Sequence, residues 1–244
     1  MRRYELSTAL SLAILFAGAF LQGLTGFGYS LFSLPLLTFL MPVSTAVPML
    51  CLTSVFLNLI VFLRARKSLD IKRILPLLIS GAAALPAGIW LLRTADESAL
   101  KIGVGVLVIL SSVIYLSGFR ITVRREKLAM IPVGFLSGLL NGATTFSGPP
   151  VILFFANQRV AKHQFRASLA AYFLLLNAIA VPAFIAGGLL TGETALNTLY
   201  LFPAVISGVL FGIRMADVVS EERFRFAALI ALGVLGVFSV VSGL

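Results

Sequence analysis

The chain has 244 residues, 59% of them hydrophobic and 11% charged, with a formal net charge of +10. So apolar a composition excludes a soluble globular fold, and polar stretches of only about ten residues leave no room for a catalytic domain on an anchor, so residues 1–244 read as a single membrane domain. The basic excess reads as an orientation signal that meets anionic lipid headgroups, and not as a nucleic-acid surface, which would need a folded soluble face.

Apolar runs at 6–21, 46–63, 74–92, 101–118, 168–190, 196–213 and 226–243 each approach the roughly 20 residues that cross a hydrocarbon core about 30 Å thick. They are continuous rather than alternating, which predicts helices and not a barrel, so the expected fold is all-α and polytopic. The first run follows Met1-Arg2-Arg3 and contains Ala17-Gly18-Ala19, in the manner of a signal peptide. However, Phe20-Leu21-Gln22-Gly23 returns as Phe135-Leu136-Ser137-Gly138 deep in the chain, so the run is expected to belong to the fold. Cys51, the lone cysteine, lies inside an apolar run and reads as a small packing residue.

After the first run the stretch "LQGLTGFGYSLFSLPLL", residues 21–37, is broken by Thr25, Gly26 and Gly28, and the second half contains its counterpart, "GATTFSGPPVILFF" at 142–155. Further similarities follow in the same order: Pro35 with Pro150, "NLIVF" from Asn58 with "NAIAV" from Asn177, and Arg93-Thr94-Ala95-Asp96 with Arg214-Met215-Ala216-Asp217. The offset is 115 at Phe20/Phe135 and grows to 121 at Arg93/Arg214. Internal repetition sets architecture, and the halves 1–120 and 121–244 are each expected to hold one interrupted, re-entrant-like hairpin followed by three transmembrane helices.

Basic residues decide the relative orientation of the halves. If each interrupted stretch returns to its starting side, the repeats are inverted, and loops 64–73, 119–128, 157–167 and 214–225 share a face carrying fifteen of the nineteen Lys and Arg. If each crosses once, the repeats are parallel and the split is eleven to eight. The inverted arrangement fits the positive-inside rule. It places the protein in the cytoplasmic membrane with both termini outside, despite Arg2 and Arg3.

The arm from Tyr29 to Leu40, 12 residues, would extend about 18 Å as a helix and would start within the bilayer. The second arm opens on Pro149 and Pro150, well placed in a first helical turn. Short Gly/Pro-interrupted segments at matching positions in two halves point to a midplane transport site. Helix N-termini offer free N–H groups and positive dipole ends, glycine permits close approach, and hydroxyls donate hydrogen bonds. The candidate site is therefore Gly23, Thr25, Gly26, Gly28 and Ser30 from the first break, and Gly142, Thr144, Thr145, Ser147 and Gly148 from the second. Asn58 and Asn177 either line the path or bond across helices. No Lys or Arg lies well inside an apolar run, so a small anion held by dipoles and neutral donors is the expected cargo. No Asp, Glu or His lies within a span either, which argues against a side-chain proton relay.

Blander readings apply elsewhere. Gly81, Gly88, Gly103, Gly105, Gly208 and Gly233 read as helix contacts. Tyr115, Tyr172, Tyr200 and Trp90 read as interfacial or packing aromatics. His163 reads as solvated, and Arg93/Asp96 with Arg214/Asp217 as capping pairs, a gating role being left open.

The pairing of "GLTGFGYSLFSLPLL" with "GLLNGATTFSGPPVILFF" in a duplicated chain of this size resembles the TauE/SafE family of membrane permeases, also called the 4-toluene sulfonate uptake permease family. The resemblance covers nearly the whole chain and implies transport of sulfur-containing anions such as sulfite, sulfonates or sulfoacetate, in either direction. It carries the family's glycine-rich turns onto Gly23, Thr25, Gly26 and Gly28 and onto Gly142, Gly148, Pro149 and Pro150. Many relatives have consecutive glycines where this chain has Thr25-Gly26-Phe27-Gly28 and Thr145-Phe146-Ser147.

An enzyme is not expected: the chain has one histidine, no His-Glu-x-x-His and no carboxylate within a span, against the nucleophile, paired-acid or metal sets that intramembrane hydrolysis needs. No metal or cofactor is expected. The alternative is a membrane assembly or accessory protein without its own cargo. The expected partners are the small anion and the lipid bilayer, with self-association left open.

Overall fold

The structure is a computed structural model that describes residues 2–117, 125–157 and 162–216, with Val237, Val240 and Val241 beyond them. The side chains of residues 2–6, 115, 156–157 and 162–163 are not among those described. The readings for Arg2, Arg3, Tyr115, His163, Asp217, Gly233 and most of the run at 226–243 therefore lie outside the described part.

Ten α-helices make up the described chain, with no strand among the described residues: α1 (Arg2–Thr25), α2 (Tyr29–Leu37), α3 (Val43–Ala65), α4 (Ile71–Thr94), α5 (Glu97–Leu116), α6 (Glu126–Thr144), α7 (Gly148–Asn157), α8 (Lys162–Ala186), α9 (Gly192–Leu199) and α10 (Phe202–Met215). The fold is all-α and polytopic. Ser7–Thr25, Val43–Ser68, Ile71–Thr94, Glu97–Ile114 and Gln164–Ala186 are long and apolar enough to cross a bilayer.

The run at 196–213, expected as one span, is two helices bent by 49°. Pro203 stands in the first turn of α10, where it has no N–H to continue the α9 ladder. The short arm α2 likewise stops at Leu37 rather than Leu40. The Thr38 hydroxyl donates to the Pro35 carbonyl at 2.7 Å, Leu40 turns back onto Leu37, and the extended Pro42 caps α3.

The main pairings are α4 with α6, α1 with α10, and α3 with α8. In each of the first two, the opening helix of one half packs on a later helix of the other, with small residues at the contact. A Cβ on Gly88 would run into the Leu139 carbonyl, and one on Gly208 into that of Phe16, so these glycines permit the close approach expected of them. Gly81 packs the same way against Tyr172 and the Gly134 carbonyl, whereas Gly103 has nothing within 4 Å and is not a contact glycine.

Asp70 caps α4 and Asp96 caps α5, the latter accepting from Ala99 N–H at 2.6 Å, so Asp96 is a cap as its position suggests. Glu97 accepts from Val43 N–H at 3.0 Å and ties the starts of α3 and α5 together. At the opposite end of α3 the α4 start meets the α6 start through an Arg73–Glu126 ion pair at 2.6 Å, so loops 64–73 and 125–128 share one end of the bundle.

Candidate functional site

Both helix breaks have the same build. The α1 ladder ends with Gly26 N–H on the Gln22 carbonyl at 2.7 Å, and the α6 ladder with Thr145 N–H on the Asn141 carbonyl at 2.9 Å. The next conformation is left-handed in each, with φ 90° at Gly26 and 59° at Thr145. The Thr25 hydroxyl donates back to Leu21 and accepts from Phe27 N–H, and the Thr144 hydroxyl donates to Leu140 and accepts from Phe146 N–H. Gln22 Nε2 donates to Asn58 Oδ1 at 2.7 Å and Asn141 Nδ2 to Asn177 Oδ1 at 3.0 Å. Every correspondence has the offset 119, the difference between Gln22 and Asn141. The sequence alignment at 115 therefore slips by four residues, one helical turn, at the breaks.

These bonds orient the amides. Tyr29 N–H can only donate, and its acceptor is Gln22 Oε1 at 3.2 Å. That fixes Gln22 Nε2 toward Asn58, which fills the Asn58 oxygen and leaves its NH2 uncommitted. At the second break Asn177 Oδ1 accepts from Asn141 Nδ2 at 3.0 Å and is approached by the Cys51 thiol at 3.6 Å. Asn58 and Asn177 thus bond across helices and also line a cavity.

That cavity, of about 40 Å³, lies where the two breaks meet and is lined from both. Ser30 and Leu31 at the start of α2 and Gly148 at the start of α7 line it, and no described group accepts from their N–H groups. The hydroxyls of Ser30, Ser54 and Ser147 also line it, between the walls formed by Phe27, Phe146, Ile152 and Phe173. The cavity is rich in unengaged donors, the main-chain N–H groups, the Asn amides and the serine hydroxyls, and no carboxylate faces it. Such a set favours an anion over a cation or a neutral acceptor-free molecule.

The sequence-based candidates divide. Gly28, Ser30, Asn58, Thr145, Ser147, Gly148 and Asn177 line the cavity; Gly23, Thr25, Gly26, Gly142 and Thr144 do not. Gly23 and Gly142 are helix contacts, where a Cβ would strike the Val209 carbonyl and Leu85 carbonyl respectively. The Thr25 and Thr144 hydroxyls spend their one hydrogen on the main chain, as does Thr145, bonded to the Thr144 carbonyl at 2.6 Å. In this structure these three hydroxyls are engaged by the main chain, since local backbone acceptors compete for a hydroxyl in an apolar setting. Gly26 faces away from the cavity and toward Arg166, whose Nε lies 3.4 Å from the place a Gly26 Cβ would take.

Sequence reading missed Gln22, Ser54, Asn141 and Arg166. Arg166 is half-buried, donates to the Gly23 carbonyl at 3.1 Å and has no acidic partner among the described residues. In the sequence it reads only as part of a basic loop. Tyr172, read as interfacial or packing, is fully buried and donates its hydroxyl to Ser137 at 2.9 Å. Trp90 and Tyr200 are 66% and 78% exposed, as aromatics facing lipid or the interface should be.

A family model described as "Sulfite exporter TauE/SafE" matches residues 10–239. The chain belongs to the TauE/SafE family. Its membership and its apolar helices make it a multi-pass transmembrane transport protein of the permease type. No curated protein and no solved structure matches the chain significantly.

Proposed function

We propose that this TauE/SafE protein is a secondary permease that carries a small sulfur-containing oxyanion, such as sulfite or an organosulfonate, across the cytoplasmic membrane. It would do so by alternating access between two inverted repeats and perform no chemistry on its cargo. The observation that carries the reading is the donor-rich cavity, free of carboxylates, between the two helix breaks, with the NH2 groups of Asn58 and Asn177 and the N–H groups of Ser30, Leu31 and Gly148 unengaged. Two short helices starting at one cavity add dipole ends worth about half a positive charge each. The helix pairing, in which opening helices pack across the halves, supports the repeat assignment, and the charge distribution supports placing loops 64–73 and 157–167 inside the cell.

The test is thermal unfolding of the purified protein with sulfite, sulfate, taurine, sulfoacetate and simple carboxylates. A ligand that binds only the folded state raises apparent stability by mass action, about 2.7 kcal/mol at a hundred times Kd. Stabilisation by sulfite or a sulfonate is expected. No shift with any anion, together with no uptake into proteoliposomes, would favour a cargo-free accessory protein.

A further inference from the structure

A second and larger hollow opens away from the cavity. It has a volume of about 440 Å³ and lies between the start of α1, the α2–α3 corner and α9. Thr8, Asn197 and Tyr200 form its exposed rim, and Ser11, Met49 and Leu201 its buried floor. Ser7, Ser11, Thr45 and Thr194 add hydroxyls to the otherwise mainly apolar wall of this vestibule.

Three helical stripes run from this floor to the cavity. On α1, Ser11, Leu15, Gly18 and Gln22 recur at the spacing of one helix face. On α2 and its corner, Met41, Leu37, Ser33 and Tyr29 do the same, and on α3 so do Thr45, Met49 and Thr53. In each, the ends line one hollow or approach the other, and the middle is sealed: Leu15, Ser33, Leu37 and Thr53 are all 0% exposed. On α3 the vestibule floor at Met49 and the cavity wall at Ser54 are only five residues, about 7.5 Å, apart.

Two features mark this seal, the second shared with Ser112 and Ser168 elsewhere among the described residues. Tyr29, itself a cavity residue, bonds Thr53 Oγ1 at 2.8 Å. The single hydroxyl hydrogen of Thr53 already goes to the carbonyls of Met49 and Leu50, so Tyr29 is the donor. The hydroxyl of Ser33, packed on Gly18, has no partner at all. A buried unpartnered hydroxyl is costly, and the cost is explained if another state of the protein brings water or cargo to it. We infer that the vestibule is a port of the transport path and that Tyr29, Ser33 and Thr53 form the gate between it and the cavity, with Tyr29–Thr53 as latch.

This inference rests on the cavity being the substrate site, and the experiment separates the two. In a Cys51→Ala background, Ser54→Cys places one thiol on the cavity wall. Its reaction with a positively charged, membrane-impermeant methanethiosulfonate is timed from each side in right-side-out and inside-out vesicles. Breaking the latch with Thr53→Val should speed labelling at least tenfold from the face bearing Ser7 and Thr45, with no change from the other. Thr45→Trp, which fills the vestibule, should cancel the gain. Tyr29→Phe, retaining the ring, serves as a second latch variant should Thr53→Val fold poorly. Unchanged labelling in both latch variants, or acceleration from the opposite face, overturns the gate. Because labelling needs no anion, it can succeed or fail independently of sulfite affinity, measured by calorimetry on the same vesicles' purified protein.

Discussion

The two helix breaks trace one path with different residues. The first uses glycine at both special positions, with φ 90° at Gly26 and 101° at Gly28. The second uses Thr145, the only non-glycine with positive φ among the described residues, and then Pro149-Pro150. Gln22 is one methylene longer than Asn141, and reaches the first N–H of its short helix, whereas Asn141 Oδ1 is buried without a partner. The consequence is a division of donors: Tyr29 N–H is closed off but Ser30 and Leu31 stay open in the first break, while the prolines leave the second only Gly148. Arg166 adds a cation to the first break alone, and Val47, the corresponding residue at the offset of 119, is apolar. Internal symmetry thus preserves the backbone bend and the Asn amides while the charge around them becomes one-sided.

The largest expected effect tests what the halves share. Asn58→Asp or Asn177→Asp keeps an oxygen for Gln22 or Asn141 but exchanges the open NH2 for a carboxylate, so sulfite affinity by calorimetry should fall at least about a hundredfold, roughly 2.8 kcal/mol. An unchanged affinity in both would remove the shared donor pair from the site.

Next, the glycines should behave unequally. Gly28→Ala puts a side chain on a left-handed backbone and should cost roughly 1–3 kcal/mol of stability. Gly148→Ala should cost much less, since its Cβ meets chiefly the movable end of Ile152 at 3.2 Å. Valine at either position should still weaken anion binding about tenfold, near 1.4 kcal/mol, by holding the ligand away from the backbone. Equal stability losses in thermal melts of the two alanine variants would show that the breaks are under the same constraint.

Arg166→Gln should weaken binding about threefold, near 0.65 kcal/mol, and flatten its dependence on salt, while Arg166→Lys restores both because the contribution is a screened charge. A purely structural cap would change melting without altering the salt response. The smallest effect is expected from Thr145→Gly, which relieves a strained threonine but adds backbone freedom worth about 0.5–1 kcal/mol in the unfolded chain. Stability should be unchanged or higher and affinity reduced by less than about threefold, roughly 0.65 kcal/mol.

Much of this was legible before the structure. Apolar runs located most of the spans, and the recurrence of Gly-rich breaks found both ends of the cavity through Gly28, Ser30, Ser147 and Gly148. The same glycine signal also drew in Gly23 and Gly142, because small residues serve close helix packing as well as ligand approach. Thr25 and Thr144 were included because a hydroxyl in the sequence does not reveal where its hydrogen is spent. Gln22 and Ser54 were passed over as single polar residues in apolar helices, and Arg166 as one charge in a basic loop.

By itself the sequence determined the solvent this protein folds in, its helical class and the duplicated break. Those follow from composition and periodicity, which act locally and survive any arrangement of the helices. Only the tertiary structure decided the register of the breaks, the direction in which each Asn amide points and the separation of cavity from vestibule. These depend on hydrogen bonds between residues 36 apart, Gln22 to Asn58 and Asn141 to Asn177, and a buried amide's orientation is set by whichever partner the packing brings to it.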